Sequence, residues 1–242
     1  MAKEKTALVT GANKGIGREI ARRLAELDYI VWLGCRDADR GEEAAAALRR
    51  EGGDIRFLQL DVADSASVAR AAVALAHETD HLDVLVNNAG IALGAGVAPS
   101  ALDLALMQAS YEVNVFGPVR VTQALLPLLR AAPAARIVMM SSGLGSLART
   151  SDPSYSSYLT NLLAYNSSKS ALNAVTVIFA KELRESVIKV NAADPGYTAT
   201  DLNGHRGLRT VAQGAEIAVR LATLRDDGPT GGFFNDEGAQ PW

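Results

Sequence analysis

Thr10-Gly11-Ala12-Asn13-Lys14-Gly15-Ile16-Gly17 follows directly on a short, apolar, β-branched stretch that starts at Thr6. It leads into Ile16, Ile20, Leu24 and Leu27 at helical spacing. Strand, glycine turn and helix in that order open a doubly wound nucleotide-binding fold. Positions without a Cβ, spaced GxxxGxG, permit a tight turn and a close approach of backbone to ligand. The helix behind the turn directs free N–H groups and a partial positive charge at the turn, which suits a pyrophosphate. Glycines alone also fit a plain turn; their place directly after an N-terminal strand favours the phosphate reading. Gly11, Asn13, Lys14, Gly15, Ile16 and Gly17 are therefore the first candidate cofactor contacts.

The rhythm continues outward from this unit. Ile30 to Leu33 reads as a second strand, Ala44 to Arg50 as strongly helix-favouring and Ile55 to Leu60 as a third strand. Val68 to His77 is helical in composition and Leu82 to Val86 is a fourth apolar run. Val115 to Arg130 predicts a long helix in spite of Pro118 and Pro127, and Arg136 to Met140 a strand. Leu163 to Ser186 predicts another long helix and Val187 to Ala193 another strand. This alternation predicts the α/β class: a Rossmann-type doubly wound parallel sheet with helices on both faces, in a single domain over residues 1–242. Pro195 to Gly207 lacks a clear period and reads as a loop. Gly228 to Trp242 reads as a turn-rich tail with a last short strand around Phe233-Phe234.

The chain has 242 residues, 48% hydrophobic and 21% charged, enough for a sizeable core under a charged surface. A net charge of -3 and the lack of a Lys/Arg run argue against a nucleic-acid partner. Cys35 is the only cysteine, so neither an intrachain disulfide nor a cysteine-rich metal site is available, and one thiol fits a reducing compartment. Met1-Ala2-Lys3-Glu4-Lys5-Thr6 lacks the apolar stretch of a secretory signal, and no window approaches the roughly 18 apolar residues of a membrane span. A cytoplasmic protein without membrane association is expected. His77 and His81 read as solvated, His205 falls in the 195–207 loop, and no metal-ligand spacing connects them, so no metal is expected.

The end of the second strand bears on cofactor choice. A carboxylate there would bind the adenosine ribose hydroxyls and select NAD, but the strand ends Leu33-Gly34-Cys35-Arg36-Asp37. Arg36 can form paired hydrogen bonds to a 2′-phosphate, and Lys14 adds a second positive charge. Either cation alone is also an ordinary solvated side chain, and Asp37 is placed to pair with Arg36 or to bind ribose. The expected cofactor is NADP(H), preferred over NAD(H) by about tenfold or more.

Behind the glycine turn come Asn87-Asn88-Ala89-Gly90, Asn114, Ser141-Ser142, Tyr165-Asn166-Ser167-Ser168-Lys169 and Pro195-Gly196. A lone YxxxK is common by chance; the whole series in order is specific. From about Thr6 to Asp201 the chain resembles the short-chain dehydrogenase/reductase (SDR) family, and within it the carbonyl-reductase-like members. The resemblance implies an NADP(H)-dependent oxidoreductase that reduces a ketone, aldehyde or quinone, or oxidises an alcohol, by hydride transfer. It implies that Asp61-Val62 holds the adenine ring, that Asn88-Ala89-Gly90 lines the adenosine ribose, and that Pro195-Gly196 with Thr198 and Thr200 holds the nicotinamide end. For Asp61 a helix cap ahead of Ser65 is the local alternative. NAD-preferring members place their acid where Cys35 stands, and Arg36 matches the basic residue of NADP-preferring ones. Cys35 therefore matters for its missing charge, not as a nucleophile.

Tyr165 and Lys169 are four positions apart on a predicted helix and so share a face. A phenol with a pKa of about 10 is a poor proton shuttle at neutral pH. An ammonium about 4 Å away, at an effective dielectric of about 20, contributes on the order of 4 kcal/mol, roughly three pKa units towards the phenolate before desolvation opposes it. That expectation brings Tyr165 into the range for acid–base catalysis. The resemblance makes Tyr165 the proton donor in reduction and the base in oxidation. It gives Ser142 a hydrogen bond to the substrate oxygen, Lys169 a contact to the nicotinamide ribose, and Asn114 a water that relays protons to Lys169. The local alternatives are an exposed Tyr/Lys helix pair, a turn serine with Ser141 as rival to Ser142, and a helix-capping Asn114.

Two features depart from the family pattern. Ser142 and Tyr165 are separated by 22 residues, more than in members without an insertion. The extra stretch, with Arg149, Asp152-Pro153, Tyr155, Tyr158 and Leu162, predicts a flap beside the substrate. By obstructing the family's helix-bundle interface it favours a monomer over a dimer or tetramer. Asp194 stands where the residue is usually uncharged. Segments 143–162 and 195–208, with Ile91 to Val97, are the expected substrate-facing parts, and their few charges favour a neutral hydrophobic carbonyl. Two other functions share these features: a non-catalytic NADP(H)-binding sensor, which would commonly lack the Tyr or the Lys, and an acyl-chain ketoreductase with a carrier-protein partner.

Overall fold

A computed structural model describes residues 4–156 and 158–242. Residues 1–3, at the start of the stretch read as lacking a leader, and residue 157 of the 143–162 segment lie outside the described residues. Eight strands form one sheet: β1 (Lys5–Thr10), β2 (Tyr29–Cys35), β3 (Ile55–Gln59), β4 (Val84–Asn87), β5 (Arg136–Met140), β6 (Lys189–Ala193), β7 (Phe233–Asn235) and β8 (Gly238–Ala239). Their order is β3-β2-β1-β4-β5-β6-β7-β8. All neighbours run parallel except β7 and β8. The chain direction of winding reverses between β1 and β4. That switch point leaves a crevice at the carboxyl ends of the strands, where such sheets bind ligands.

The helices are α1 (Gly15–Glu26), α2 (Ala38–Arg50), α3 (Ser65–Glu78), α4 (Leu104–Tyr111), α5 (Gly117–Ala131), α6 (Leu147–Thr150), α7 (Leu163–Glu182) and α8 (Val211–Ala222). Alternation along β1 shows how both sheet faces are covered. Ala7 and Val9 pack with α1, α2 and α8; Leu8, pointing the other way, packs with α3, α5 and α7. A strand covered on both faces reads as continuously apolar, which is why Thr6 to Thr10 carries no polar alternation.

The structure departs from the periodic reading at several places. The helix expected from Val115 starts earlier, because α4 runs through a π turn (Glu112–Phe116) directly into α5. The helix expected to reach Ser186 ends at Glu182. The Ser186 hydroxyl donates to the Leu183 carbonyl and accepts the Ile188 N–H, a local turn that delays β6 to Lys189. α8 was not anticipated, although Thr210 and Gln213 form a capping box at its start. Its buried stripe includes Gly214, Ala215, Ala218 and Ala222, whose small side chains give little apolar contrast. His81, expected to be solvated, is 5% exposed. Its Nδ1 lies 2.5 Å from Asp80 Oδ1, and its Nε2 lies 3.1 Å from the Glu4 carbonyl and 3.3 Å from Asp83 Oδ2. It ties β1 to β4 at the edge away from the crevice. Among the described residues no helix is long and apolar enough to cross a membrane.

Candidate active site

The β1–α1 turn bends through Gly11 and Gly15, whose φ angles are +63° and +56°. At Gly17 the constraint is space: a Cβ there would stand 2.3 Å from Asn88 Nδ2 and 2.7 Å from the Gly11 carbonyl oxygen. Asn88 Nδ2 donates to the Thr10 and Gly11 carbonyls at 2.8 and 3.2 Å. The backbone N–H groups of Asn88 and Ala89 donate to Thr10 Oγ1 at 2.9 and 3.0 Å. The Asn88 amide thus fastens the turn, which leaves Ala89 and Gly90 as the part of that segment open to a ligand. α2, α3, α4 and α8 begin on side-chain caps from Asp37, Asp64, Asp103 and Thr210, whereas α1 begins at Lys14 with none. Its first N–H groups, beside Asn13 and Ile16, have no side-chain acceptor at the crevice, which fits a pyrophosphate.

Arg36, directly after β2, is exposed and has no ion pair among the described residues. Asp37 is not its partner. One Asp37 oxygen accepts the Arg40 N–H at 3.1 Å as the cap of α2, and the other lies 3.6 Å from Arg40 Nε. Asp37→Ala is accordingly expected to lower stability by about 1 kcal/mol, read as a urea midpoint, without altering cofactor choice. Cys35 is buried, and burial pushes its thiol up from the usual range, as befits a packing residue.

Asp61 does not cap α3; Asp64 does. Asp61 Oδ1 instead accepts the Ala63 N–H at 3.0 Å. The Val62 side chain is buried, with its carbonyl accepting from Arg120 at 2.6 Å, so only its backbone edge is left for a ring.

The loop after β6 folds back over the glycine turn. Thr200 Cγ2 lies 3.6 Å from where a Gly15 Cβ would be. Lys14, expected beside Arg36, pairs with Asp201 at 2.5 Å, and His205 pairs with the other Asp201 oxygen at 2.8 Å. The Lys14 ammonium holds the Asp201 carboxyl below its ordinary range. Thr198, read with Thr200 as a nicotinamide contact, is 4% exposed, with its hydroxyl donating to the Pro195 carbonyl at 3.0 Å. Thr200 and the Pro195-Gly196 backbone are the more open parts of that segment.

The four expected catalytic residues converge where β4, β5 and α7 meet. Tyr165 and Lys169 lie one turn apart on α7, with Lys169 Nζ 5.6 Å from the Tyr165 ring centre. Ser142 lies two residues beyond β5, accepts the Leu144 N–H at 3.2 Å and hydrogen-bonds Tyr165. Its rival Ser141 is buried and donates to Asn173 Oδ1 at 2.6 Å. Asn114 sits in the π turn, not at a helix end. It is fully buried, accepting the Ile91 N–H at 2.9 Å and donating to the Ile91 carbonyl at 2.8 Å and Ser168 Oγ at 3.0 Å. A Cβ on Gly90 would lie 3.4 Å from Asn114 Oδ1 and 3.6 Å from Lys169 Nζ, which fixes how closely these groups gather.

The electrostatics correct one expectation. Tyr165 is pushed up to about 12, not down: burial dominates, the Ser142 hydrogen bond opposes it, and the Asp194 carboxylate adds to the rise. Lys169 is 4% exposed and donates to the Met140 carbonyl at 2.7 Å. Burial pulls it down to about 8. Burial is the largest cause of both displacements, and it favours the protonated phenol of Tyr165.

Supporting residues were not foreseen. Asn173 accepts from Ser141 and donates to the Gly145 carbonyl at 3.2 Å, fixing the turn that follows Ser142. Ser168 links Asn114 to the Tyr165 carbonyl, to which its hydroxyl donates at 2.7 Å. Polar residues on the buried face of an otherwise amphipathic α7 are the signal that locates both.

A model of the family described as short chain dehydrogenase matches residues 5–209. The (-)-isopiperitenone reductase of Mentha piperita is 34% identical, over 96% of each chain. The NADPH carbonyl reductase 1 of Rattus norvegicus is 34% identical, over 98% of each. The solved structure of an NADPH-bound carbonyl reductase from chicken fatty liver superposes with a TM-score of 0.87 at 30% identity, covering 99% of this chain and 100% of that one. Glycine turn, sheet order and the corner at Tyr165 thus agree with an independent family match over most of the sequence: the chain belongs to the short chain dehydrogenase family.

Proposed function

We propose that this protein is an NADP(H)-dependent oxidoreductase that reduces a ketone, aldehyde or quinone to the alcohol. The observation that carries this is the meeting of Ser142, Tyr165 and Lys169 at the carboxyl edge of the sheet, next to the uncapped start of α1. The names of the mint and rat relatives support the reaction class, and those of the rat relative and the chicken structure support the cofactor.

The residues present fit NADP(H). Gly11 to Gly17 and the start of α1 would hold the pyrophosphate, and Arg36, with Lys14 once freed from Asp201, the 2′-phosphate. Asp61, Val62, Ala89 and Gly90 would line the adenosine, and Pro195, Gly196 and Thr200 the nicotinamide end, with Thr198 bracing that loop through its bond to the Pro195 carbonyl. When bound, the cofactor supplies the hydride.

Ser142 orients the substrate oxygen by hydrogen bonding and stabilises charge as it develops there. Tyr165 Oη donates its proton to that oxygen; a phenol held protonated across the neutral range suits reduction. Lys169 spends one N–H on Met140, leaving others to bind the cofactor's ribose and to return a proton to Tyr165. Asn114 clamps the Ile91 backbone to α7 and keeps this corner rigid, consistent with an anchor for a proton-relaying water.

Segments 143–162 and 195–208 face the substrate in this reading. Exposed Leu147, Tyr197, Leu202 and Leu208 give them an apolar rim that favours a hydrophobic carbonyl. The protein acts as a monomer in the cytoplasm, a compartment that suits its single buried thiol. The direct test follows NADPH absorbance against a panel of hydrophobic aldehydes, ketones and quinones. Turnover is expected, and tight NADPH binding with none on the whole panel overturns the reading in favour of a cofactor sensor.

Arg36→Leu tests the cofactor assignment. Loss of a charge-assisted contact is expected to lower kcat/KM for NADPH by about ten- to a hundredfold while that for NADH changes less than about threefold. An equal fall for both cofactors would remove Arg36 from the 2′-phosphate site.

A further inference from the structure

The two departures from the family pattern meet in one ion pair. Arg149 belongs to the long segment before Tyr165, and Asp194 is the acid in front of Pro195-Gly196. Arg149 Nη1 lies 3.4 Å from Asp194 Oδ2, with side-chain exposures of 20% and 7%. The other Asp194 oxygen accepts the Gly196 N–H at 3.0 Å. A Cβ on Gly143, the residue after Ser142, would stand 2.9 Å from Asp194 Oδ2 and 3.0 Å from Arg149 Nη1. The pair therefore lies against the Ser142 turn, and Ser142 in turn contacts Tyr165.

The arrangement is costly for a purely structural bridge. It places a carboxylate in the interior with one long ion pair and one N–H, and Arg149 Nε is buried with no acceptor among the described residues. Arg149 is held from two sides: its backbone N–H donates to the Ser146 hydroxyl as the cap of α6, its guanidinium lies 5.4 Å over the Tyr155 ring, and Ser146 is tied to the Pro241 carbonyl. The charged and titratable groups around this corner are Lys169 from α7, Asp194 just after β6, Arg149 with Tyr155 from the inserted segment, and Arg209, which packs on Gly196 and pairs with Asp236. Lys14, Asp201 and His205 are tied to one another over the glycine turn.

We propose that Asp194 and Arg149 are positioning residues for proton transfer at Tyr165: the carboxylate holds the proton on the phenol, and the guanidinium limits that hold by pairing with the carboxylate. The inference rests on Tyr165 being the acid–base residue of the proposed reductase. The sign follows from charge. A negative neighbour opposes phenolate formation, which agrees with the direction in which Asp194 acts on Tyr165. Removing Asp194 eases deprotonation; removing Arg149 hinders it.

The test measures kcat/KM against pH for alcohol oxidation with NADP+, where Tyr165 must be deprotonated. Wild type is compared with Asp194→Asn, Arg149→Gln, Arg149→Lys and the Asn/Gln double variant. The rising limb is expected to move down by about one pH unit in Asp194→Asn and up by about one in Arg149→Gln. It is expected to return towards wild type in Arg149→Lys. In the double variant it should coincide with Asp194→Asn, because the guanidinium acts only through the carboxylate. Unmoved profiles, an Arg149→Gln shift that persists without Asp194, or a change in KM alone each overturn the inference, the last in favour of a substrate contact.

Asp194→Asn keeps the acceptor for the Gly196 N–H and decides the sign alone if Arg149→Gln does not fold. The phenol is also titrated directly by tyrosine 13Cζ NMR on the NADP+ complex, with Tyr165→Phe assigning the signal. Absent turnover in wild type sinks the reductase reading, whereas an unchanged phenol titration in Asp194→Asn sinks this one.

Discussion

Tyr165→Phe is expected to lower kcat for carbonyl reduction by about a hundredfold or more while leaving NADPH affinity within about twofold. The substitution removes one hydroxyl and keeps the ring packed on α7. The Tyr165 phenol is hydrogen-bonded to Ser142, and burial pushes it up to about 12. Without it the carbonyl oxygen, whose carbon receives the hydride, must draw its proton from water. Donation by a positioned acid is worth about 10²–10⁴ in rate, and that is the loss to look for. NADPH fluorescence titration supplies the binding arm and absorbance at saturating cofactor the kinetic arm. Near-normal turnover would remove Tyr165 from the chemistry; a parallel loss of NADPH binding would point to a damaged fold.

Lys169→Met is expected to abolish turnover to a comparable degree, and to do so at little expense in stability. The ammonium is 4% exposed with one carbonyl partner at 2.7 Å. Its descent to about 8 from an ordinary 10.5 corresponds to about 3 kcal/mol against keeping the charge buried. Methionine fills similar space without that penalty but leaves the Met140 carbonyl short of a donor, about 1–3 kcal/mol in the other direction. The two nearly cancel, so the melting temperature should stay within a few degrees of wild type.

The pH dependence separates them further. Between about 8 and 10.5 the unfolded chain holds a proton on Lys169 that the folded one has released, so this group makes wild-type stability rise with pH through that window. The variant should lack that increment, measured as the difference between urea midpoints of the two proteins at pH 8 and at pH 10. A variant that retains the wild-type pH slope would show that the ammonium is not held at reduced proton affinity.

Most of the sheet was legible because its strands are apolar on both faces and its loops carry glycine where the backbone must turn or pack closely. The sequence also marked the residues of the catalytic corner, since Tyr165 and Lys169 share a helix and their spacing needs no tertiary information. What it could not supply was balance. The sign of the Tyr165 displacement depends on how much water the fold removes from the phenol and on Asp194, 29 residues further along the chain. Likewise, Asn88 and Thr198 stand in the expected segments, but their side chains answer nearby backbone groups. Motif position fixes a neighbourhood; which atom faces the ligand is settled by competing hydrogen bonds. The role of Asn114 in bridging Ile91 to Ser168 was equally hidden, because a π turn changes which side of the helix a residue occupies.

The tie between Ser146 and Pro241 has a consequence for how the site is assembled. Ser146 Oγ donates to the Pro241 carbonyl, the Ala148 N–H donates to the Trp242 carbonyl, and the Trp242 ring stacks on Phe233 of β7. The partners in the first bond are 95 residues apart. The glycine turn and Ala89-Gly90, by contrast, are complete within the first half of the chain. As the polypeptide leaves the ribosome, the nucleotide side can therefore form early, while the turn that bears Arg149 must wait for the last strands to dock. Trp242→Ala, which removes the stack on Phe233, would then give a protein that still captures the dinucleotide but handles protons at a different pH, a lesion made far along the sequence and felt beside Tyr165.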